Sequence, residues 1–412
     1  MKRQITIGEI AEINANSLTQ KDMFQEIMYL DTGNITRNEI DNIQVLNGMI
    51  DKIPSRAKRK VKDKTIIYST VRPNQEHYGF LENPSDNFIV STGFSTIDVY
   101  DDNTDEKFIY YLLTQKHITD YLHTIGENSV SSYPSINPDD IANLKFIVPD
   151  LKTQQSIAAV LSALDKKIAL NKQINAHLEE MAKTLYDYWF VQFDFPDANG
   201  KPYKSSGGDM VFDETLKREI PKGWEVKSLK DVLVNCSDNI KSEDLTSNMP
   251  YTPIDGLPMR KMTFSDFQKI ENARTSLIRY SFNDILIGAM RVYFHRVCIA
   301  PFDGITRSTT IVLKPKKQNH LPFLYQLCNE EKTINFASKV SIGTQQPYVN
   351  WVNGLAEYKF AMPNLELIER YSIKIMPLIK SVITREKQNH HLTQLRDFLL
   401  PMLMNGQVSV AD

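Results

Sequence analysis

Two stripes of apolar residues set 214 positions apart constrain this chain more than any other feature of it. The first runs through "IAAVLSALDKKIALNKQINAHLEEMAKTLYDYW" (157–189), at Ile157, Leu161, Leu164, Ile168, Leu178, Ala182, Leu185 and Trp189. Steps of three and four put these on one helix face, in the alternation of a coiled-coil seam. Asn171 and Asn175 interrupt the seam at its centre. The second stripe takes Tyr371, Ile375, Leu378, Val382, Leu392, Leu399 and Leu403, with Arg396 as its own polar step. It carries Arg385 and Asn389 where the first has its two asparagines. Each stripe follows an apolar strand-like run, a proline (Pro149, Pro363) and an N-cap residue, Asp150 or Asn364. Unrelated helices would rarely share a polar defect at one place, so the chain reads as an internal duplication.

The duplication extends upstream. "DKTIIYSTVR" (63–72) resembles "NDILIGAMRV" (283–292), with Arg72 matching Arg291. "ITIGEIAEI" (5–13) resembles "EVKSLKDV" (225–232), and "VSSYPSINPDDIANLKFIVP" (130–149) parallels "IGTQQPYVNWVNGLAEYKFAMP" (342–363). A period of about 200 residues is that of duplicated domains, not of a solenoid. Short β-rich runs such as "KTIIYSTV", "NFIVSTGF", "DILIGAM" and "STTIVLKP" alternate with turns and with helical stretches at 106–125 and 321–338. The expected class is α+β. The expected order is a globular unit at 1–149, a helix at 150–190, an irregular Pro/Gly/Ser-rich linker at 191–222, a second unit at 223–362, a second helix at 363–405 and a tail at 406–412.

Composition excludes some classes. No run of about 18 apolar residues exists to span a membrane, and the N-terminus carries no signal-peptide pattern. Cys236, Cys298 and Cys328 are too few and too scattered for a disulfide framework or a zinc site, which fits a reducing compartment. The sequence has no GxxxxGKS/T phosphate loop, no HExxH, CxxC or GxSxG motif, and no Asn/Asp-Pro-Pro-aromatic signature of amino methyltransferases. Glu179, Glu180 and Lys183 lie on the same strand-helix element as Asp150, so they cannot converge on a metal as a nuclease site would. His390 and His391 read as partly solvated helix residues.

Formal net charge is −2, so a nucleic-acid interface would need its positive charge concentrated. The richest run is "KIPSRAKRKVKDK" (52–64), with Lys52, Arg56, Lys58, Arg59, Lys60, Lys62 and Lys64 against one adjacent acid, Asp63. Such density attracts a phosphate backbone, although a solvated loop has the same look. Arg72 precedes "PNQEHYGF", and the second copy offers Arg291, Tyr293, His295, Arg296 and Arg307. Arginine bonds guanine in two places and Asn or Gln bonds adenine, whereas the paired arginines would equally serve an internal carboxylate. Ser131, Ser132 and Tyr133 in one polar loop, and Thr344, Gln345 and Gln346 in the other, are candidates for phosphate or base edges; an ordered turn supporting each long helix is the alternative.

"IPSRAKRKVKDKTIIYSTVRP" (53–73), "STGFSTIDV" (91–99), the "WFVQFDFP" to "NGKPYKSSGGDMV" linker and "REIPKGWEV" (218–226) resemble the specificity subunits of bacterial Type I restriction–modification systems. The resemblance covers essentially the whole chain. It implies two target recognition domains, each reading half of a split double-stranded DNA sequence, joined by two long antiparallel helices. It implies a non-catalytic chain in a cytoplasmic, nucleoid-associated complex. Two methyltransferase (modification) subunits would bring S-adenosylmethionine; restriction/translocase subunits would bring ATP and Mg. About 39 residues of helix span roughly 58 Å, longer than a DNA turn of about 34–36 Å. In an antiparallel pair Asn171, Asn175, Arg385 and Asn389 would meet as a polar layer that costs stability but fixes register, unless they face water at a splayed midpoint. Leucine at 171 and 175 is then expected to stabilise the pair. A coiled-coil scaffold with two protein-binding domains is the competing function; it predicts no salt-dependent DNA binding.

Overall fold

The computed structural model describes residues 2–410 apart from 20, 130–133, 238, 241–244, 247 and 274–275. Two compact units emerge: Met1–Lys166 with Gln394–Asp412, and Lys167–Thr393. Each long helix is shared between them.

In the first unit, Arg3–Thr6 pairs antiparallel with Lys145–Val148, Arg3 opposite Val148. In the second, Glu225–Ser228 pairs with Lys359–Met362, Glu225 opposite Met362. Both leading strands turn into a one-turn helix closed by a capping box. Thr6 N–H donates to Glu9 Oε2 at 2.9 Å, and Ser228 N–H to Asp231 Oδ2 at 2.7 Å. These reciprocal bonds satisfy amides the short helix leaves open. A four-stranded sheet follows in each unit. Its order is Ala11–Ile13, Phe94–Val99, Ile66–Ser69, Tyr78–Phe80 in one, and Leu233–Asn235, Thr310–Pro315, Ile285–Gly288, Val297–Ile299 in the other. The central strands Ile66–Ser69 and Ile285–Gly288 are buried on both faces, which is why they read as unbroken apolar runs. The first unit adds a second four-stranded sheet containing Glu26–Leu30 and Ala57–Lys60; the second unit adds the pair Leu277–Tyr280 and Gly304–Arg307.

The repeat is therefore real at the level of register, but two sequence matches shift. Ile66–Ser69 aligns with Ile285–Gly288, so "DKTIIYSTVR" matches 282–291 and not 283–292. Arg3–Thr6 aligns with Glu225–Ser228, so residues 5–13 match 227–235. Short insertions move the offset along the chain, which a single fixed spacing misses.

Each expected short helical stretch is two helices. Glu106–Leu113 and Lys116–Glu127 serve the first unit; Leu321–Asn329 and Glu331–Lys339 serve the second. The breaks fall at Gln115 and Glu330, both extended.

The long helices run Leu151–Tyr186 and Leu365–Met404, about 54 and 60 Å at 1.5 Å per residue. Ile157, Ala158 and Leu161 enter the core of the first unit, as does Leu403. Ala182, Tyr186 and Trp189 enter the core of the second with Tyr371, Ile375, Ile379 and Val382. Within that unit the helices run antiparallel: Asn171 meets Asn389, and Tyr371 OH donates to the Ala182 carbonyl at 3.0 Å.

The segment after the first long helix has no regular element over 192–209, as expected of an irregular linker, and then forms a hairpin. One turn of π-helix, Asp187–Val191, precedes it, and Met210–Asp213 pairs with Arg218–Pro221 as a hairpin. Phe195 stacks on Tyr203 and on Trp224, with ring centroids 4.6 and 5.5 Å apart, and the Arg218 guanidinium lies over Phe193. Proline and glycine here shape tight turns around an aromatic anchor.

Candidate nucleic-acid interface

Three groups of candidate residues occupy distinct settings. The basic run 52–64 is mostly strand and turn. Ala57–Lys60 pairs antiparallel with Phe88–Ser91 across a register shift. Arg56, Lys58 and Lys62 are exposed, whereas Arg59 and Lys60 are half-buried. Acids from other segments temper the run. Lys60 Nζ lies 2.5 Å from Asp22 Oδ1, and that contact pulls the Asp22 carboxyl down to about 2. Lys64 pairs with Glu106 at 3.1 Å, which raises the lysine. Arg59 donates to Ser17 Oγ at 3.4 Å, and its Nε is buried without a partner. The exposed cations of the run that are not drawn to these acids are thus Lys52, Arg56, Lys58 and Lys62.

The second group is the most telling, because the same cradle is built twice. Arg72 opens a 3-10 turn, Pro73–Gln75, closed by Glu76. Arg291 opens Val292–Phe294, closed by His295. All four flanking residues are left-handed, with φ of +48° and +57° in the first turn and +50° and +55° in the second. A non-glycine residue pays roughly 1–2 kcal/mol for that conformation, and persistent strain of this kind is concentrated at functional sites. Each arginine is tied by its backbone to the polar loop: Arg72 N–H donates to the Pro134 carbonyl at 2.8 Å and Arg291 N–H to the Pro347 carbonyl at 2.7 Å. Each turn also packs on the second of its paired helices, Lys116–Glu127 or Glu331–Lys339. The closing residues are anchored too. Arg37 Nε donates to Glu76 Oε2. His295 Nε2 faces the Asn329 side chain at 2.8 Å.

That anchoring corrects one candidate. His295 is 3% exposed and bonded within the unit, so it shapes the turn and does not reach outward. Arg296 is half-buried and donates to the Leu257 carbonyl, joining loops. Arg72 and Arg307 are exposed; Arg291 is half-buried, with an Nη donating to the Gln345 carbonyl at 3.4 Å. Tyr293 is 50% exposed. The loop carrying Thr344, Gln345 and Gln346 is exposed. It is closed at its base by Ile342 and Tyr348, which exchange two 2.9 Å backbone bonds, and turned by Gly343 at φ +91°. The structure therefore brings Arg291 and Gln345 together, with Tyr293 exposed on the same turn as Arg291. Ser131, Ser132 and Tyr133 lie outside the described residues. No group of three or more His, Cys, Asp or Glu among the described residues is arranged to hold a metal ion.

The third group is the helix-pair layer. Asn171, Asn175 and Asn389 are 1%, 6% and 4% exposed, so they are buried and do not face water. Asn171 Nδ2 donates to Gln388 Oε1 and to Asn389 Oδ1, both at 2.9 Å, and Asn175 Nδ2 to the Val382 carbonyl at 3.4 Å. Arg385 is not a member. Its guanidinium turns back one helical turn to Ser381, and Gln388 takes its place. Arg385 instead lines, with Lys167 and Lys380, a groove of about 510 Å³ beside the layer.

Sequence reasoning took Asn74 only as part of an amide-bearing run, and it missed Phe294, the proline carbonyls, Gln388, and the acids Asp22 and Glu106. Only Asn74 and Phe294 had a signal: "RPNQE" and "RVYFH" stand at one offset of 219 once Arg72 and Arg291 are superposed.

Comparison with known proteins gives a consistent result. The family model described as the Type I restriction modification DNA specificity domain matches residues 2–180. The Type I restriction enzyme HindI specificity subunit of Haemophilus influenzae is 23% identical over 462 aligned positions, covering 98% of this chain and 99% of that protein. The MjaIX specificity subunit of Methanocaldococcus jannaschii is 24% identical, covering 98% of this chain and 93% of that one. Among solved structures, the S subunit of a Type-I restriction-modification system from M. genitalium superposes with a TM-score of 0.57 at 17% identity, over 98% of this chain and 96% of that one. That superposition shows the α+β fold. Among the described residues no helix is long and apolar enough to cross a membrane.

Proposed function

We infer that this chain is a specificity subunit of the Type I restriction–modification family, and that each of its two units reads one half of a bipartite DNA target. The observation that carries the reading is the duplication: one cradle, an arginine-led left-handed turn tied to a polar loop, occurs once in each unit. A single chain with two diverged copies of one reading device suits a target whose halves differ. The scaffold alternative predicts no salt-dependent DNA binding, which the test below measures.

The chain supplies recognition and no chemistry. Methylation and cleavage fall to partners: two modification subunits carrying S-adenosylmethionine, and restriction/translocase subunits using ATP and Mg. The complex works in the bacterial cytoplasm on nucleoid DNA. Mild acidity of the chain is offset when the modification subunits share phosphate contacts. The helix pair holds the register that sets the spacer between half-sites. The test is salt-dependent binding of a cognate duplex by the complex with its modification partner. Affinity falling steeply with salt, and falling less steeply after Arg56→Ala, Lys58→Ala and Lys62→Ala together, supports the reading. Binding that is absent, or insensitive to salt, sinks it.

A further inference from the structure

Residues 72–76 read Arg-Pro-Asn-Gln-Glu and residues 291–295 read Arg-Val-Tyr-Phe-His. The frame is common: a left-handed first and last residue, a buried second residue (Pro73, Val292), and the same backbone tie to a loop proline. The two residues at the tip are exposed in both copies and share no chemistry. Asn74 and Gln75 present amides, the Gln75 oxygen held 3.2 Å from His77 Nε2. Tyr293 and Phe294 present two rings, 50% and 39% exposed, set edge to face with centroids 5.0 Å apart. A frame that is kept while its tip changes is what two readers of different sequences require. The left-handed arginine at its head is kept in both copies as well.

We propose that the tip of this turn is the base-reading element of each unit and that the two units read by different chemistry. Asn74, supported by Gln75, reads an adenine in the major groove through the paired donor and acceptor of its amide. Tyr293 and Phe294 pack their rings against bases at an opened step, gaining contact without a hydrogen-bond code. The inference rests on the DNA-specificity reading above. It goes further by assigning the residues and the class of contact in each half-site.

The experiment uses the full complex with its modification subunits. Genome methylation is mapped for the parent and for N74A/Q75A. The inference expects discrimination at one adenine-containing position of a single half-site to drop roughly tenfold. The other half-site stays intact and reports that the chain is folded. For Y293A/F294A, binding of the cognate duplex is expected to weaken tenfold or more. A 2-aminopurine placed in that half-site should lose its fluorescence rise on binding, whereas Y293F, which keeps both rings, should retain it. A parent complex that yields no bipartite motif overturns the specificity reading itself. A parent motif left unchanged by N74A/Q75A, or relaxed in both halves at once, overturns only the assignment of the tip. Full binding and fluorescence in Y293A/F294A does the same for the second unit.

Discussion

Glu179 sits on the first long helix against the backbone of Met262, whose N–H donates to its carboxylate at 3.2 Å. Burial raises its pKa to about 7, with Lys261 opposing and Glu386 reinforcing the rise. Glu386 is itself raised by burial, with Lys172, Lys261 and Asp266 nearby. A carboxyl raised in the folded state favours folding while protonated. Its contribution is complete below about pH 4.5 and is lost as pH rises through about 7. The second unit should therefore be more stable at pH 5 than at pH 8, by up to ~3 kcal/mol from this group. Urea melts across that range should flatten in Glu179→Gln; an unchanged slope would refute the assignment. Arg291 offers a second check. Glycine there accepts φ +50° freely, whereas valine does not. Arg291→Val should cost ~1–2 kcal/mol more than Arg291→Gly in the same melts, and equal costs would mean that the turn relaxes. Neither residue's conformation was readable from sequence. The arginine match was visible, but its left-handed backbone comes from the tie to Pro347, which lies 56 residues on.

At the scale of elements, the long helices were the most legible part of the chain. Their stripes follow from local periodicity, and the buried positions Ile157, Leu161, Ile168, Tyr371, Ile375 and Val382 fall on them. The centre was half legible. Asparagines in both stripes pointed to a layer, but periodicity cannot say which neighbour bonds it, and the exposed Gln388 does so where Arg385 was expected. This changes the expected effect of leucine. Asn171→Leu strips partners from Gln388 and Asn389, and Asn389 Nδ2 already lacks one. The single change should destabilise by ~1–3 kcal/mol. Replacing Asn171, Asn175 and Asn389 together should recover or exceed the parent stability, because no buried amide is then left unpaired. Thermal melts of both variants decide it; a stabilising single change would show the layer to be slack. The basic strand was legible as charge but not as surface. Asp22 and Glu106, which draw Lys60 and Lys64 away, are distant in sequence.

For the whole molecule, duplication was the main signal available without a structure, and it fixed the order of the parts. What it left open was the register of each repeat, since insertions between strands change the offset, and the fact that each long helix contributes to two units. The proposed function makes a modular prediction. Exchanging residues 1–150 for the corresponding unit of a Type I specificity subunit should change one half of the target and leave the other as it was. The central claim, that this chain dictates which DNA sequence its partners modify, is tested most directly by mapping adenine methylation genome-wide in a strain with active partner genes, with and without this gene. The account predicts a bipartite, asymmetric motif that vanishes when the gene is removed and returns when it is restored. A methylation pattern identical in both strains would contradict it.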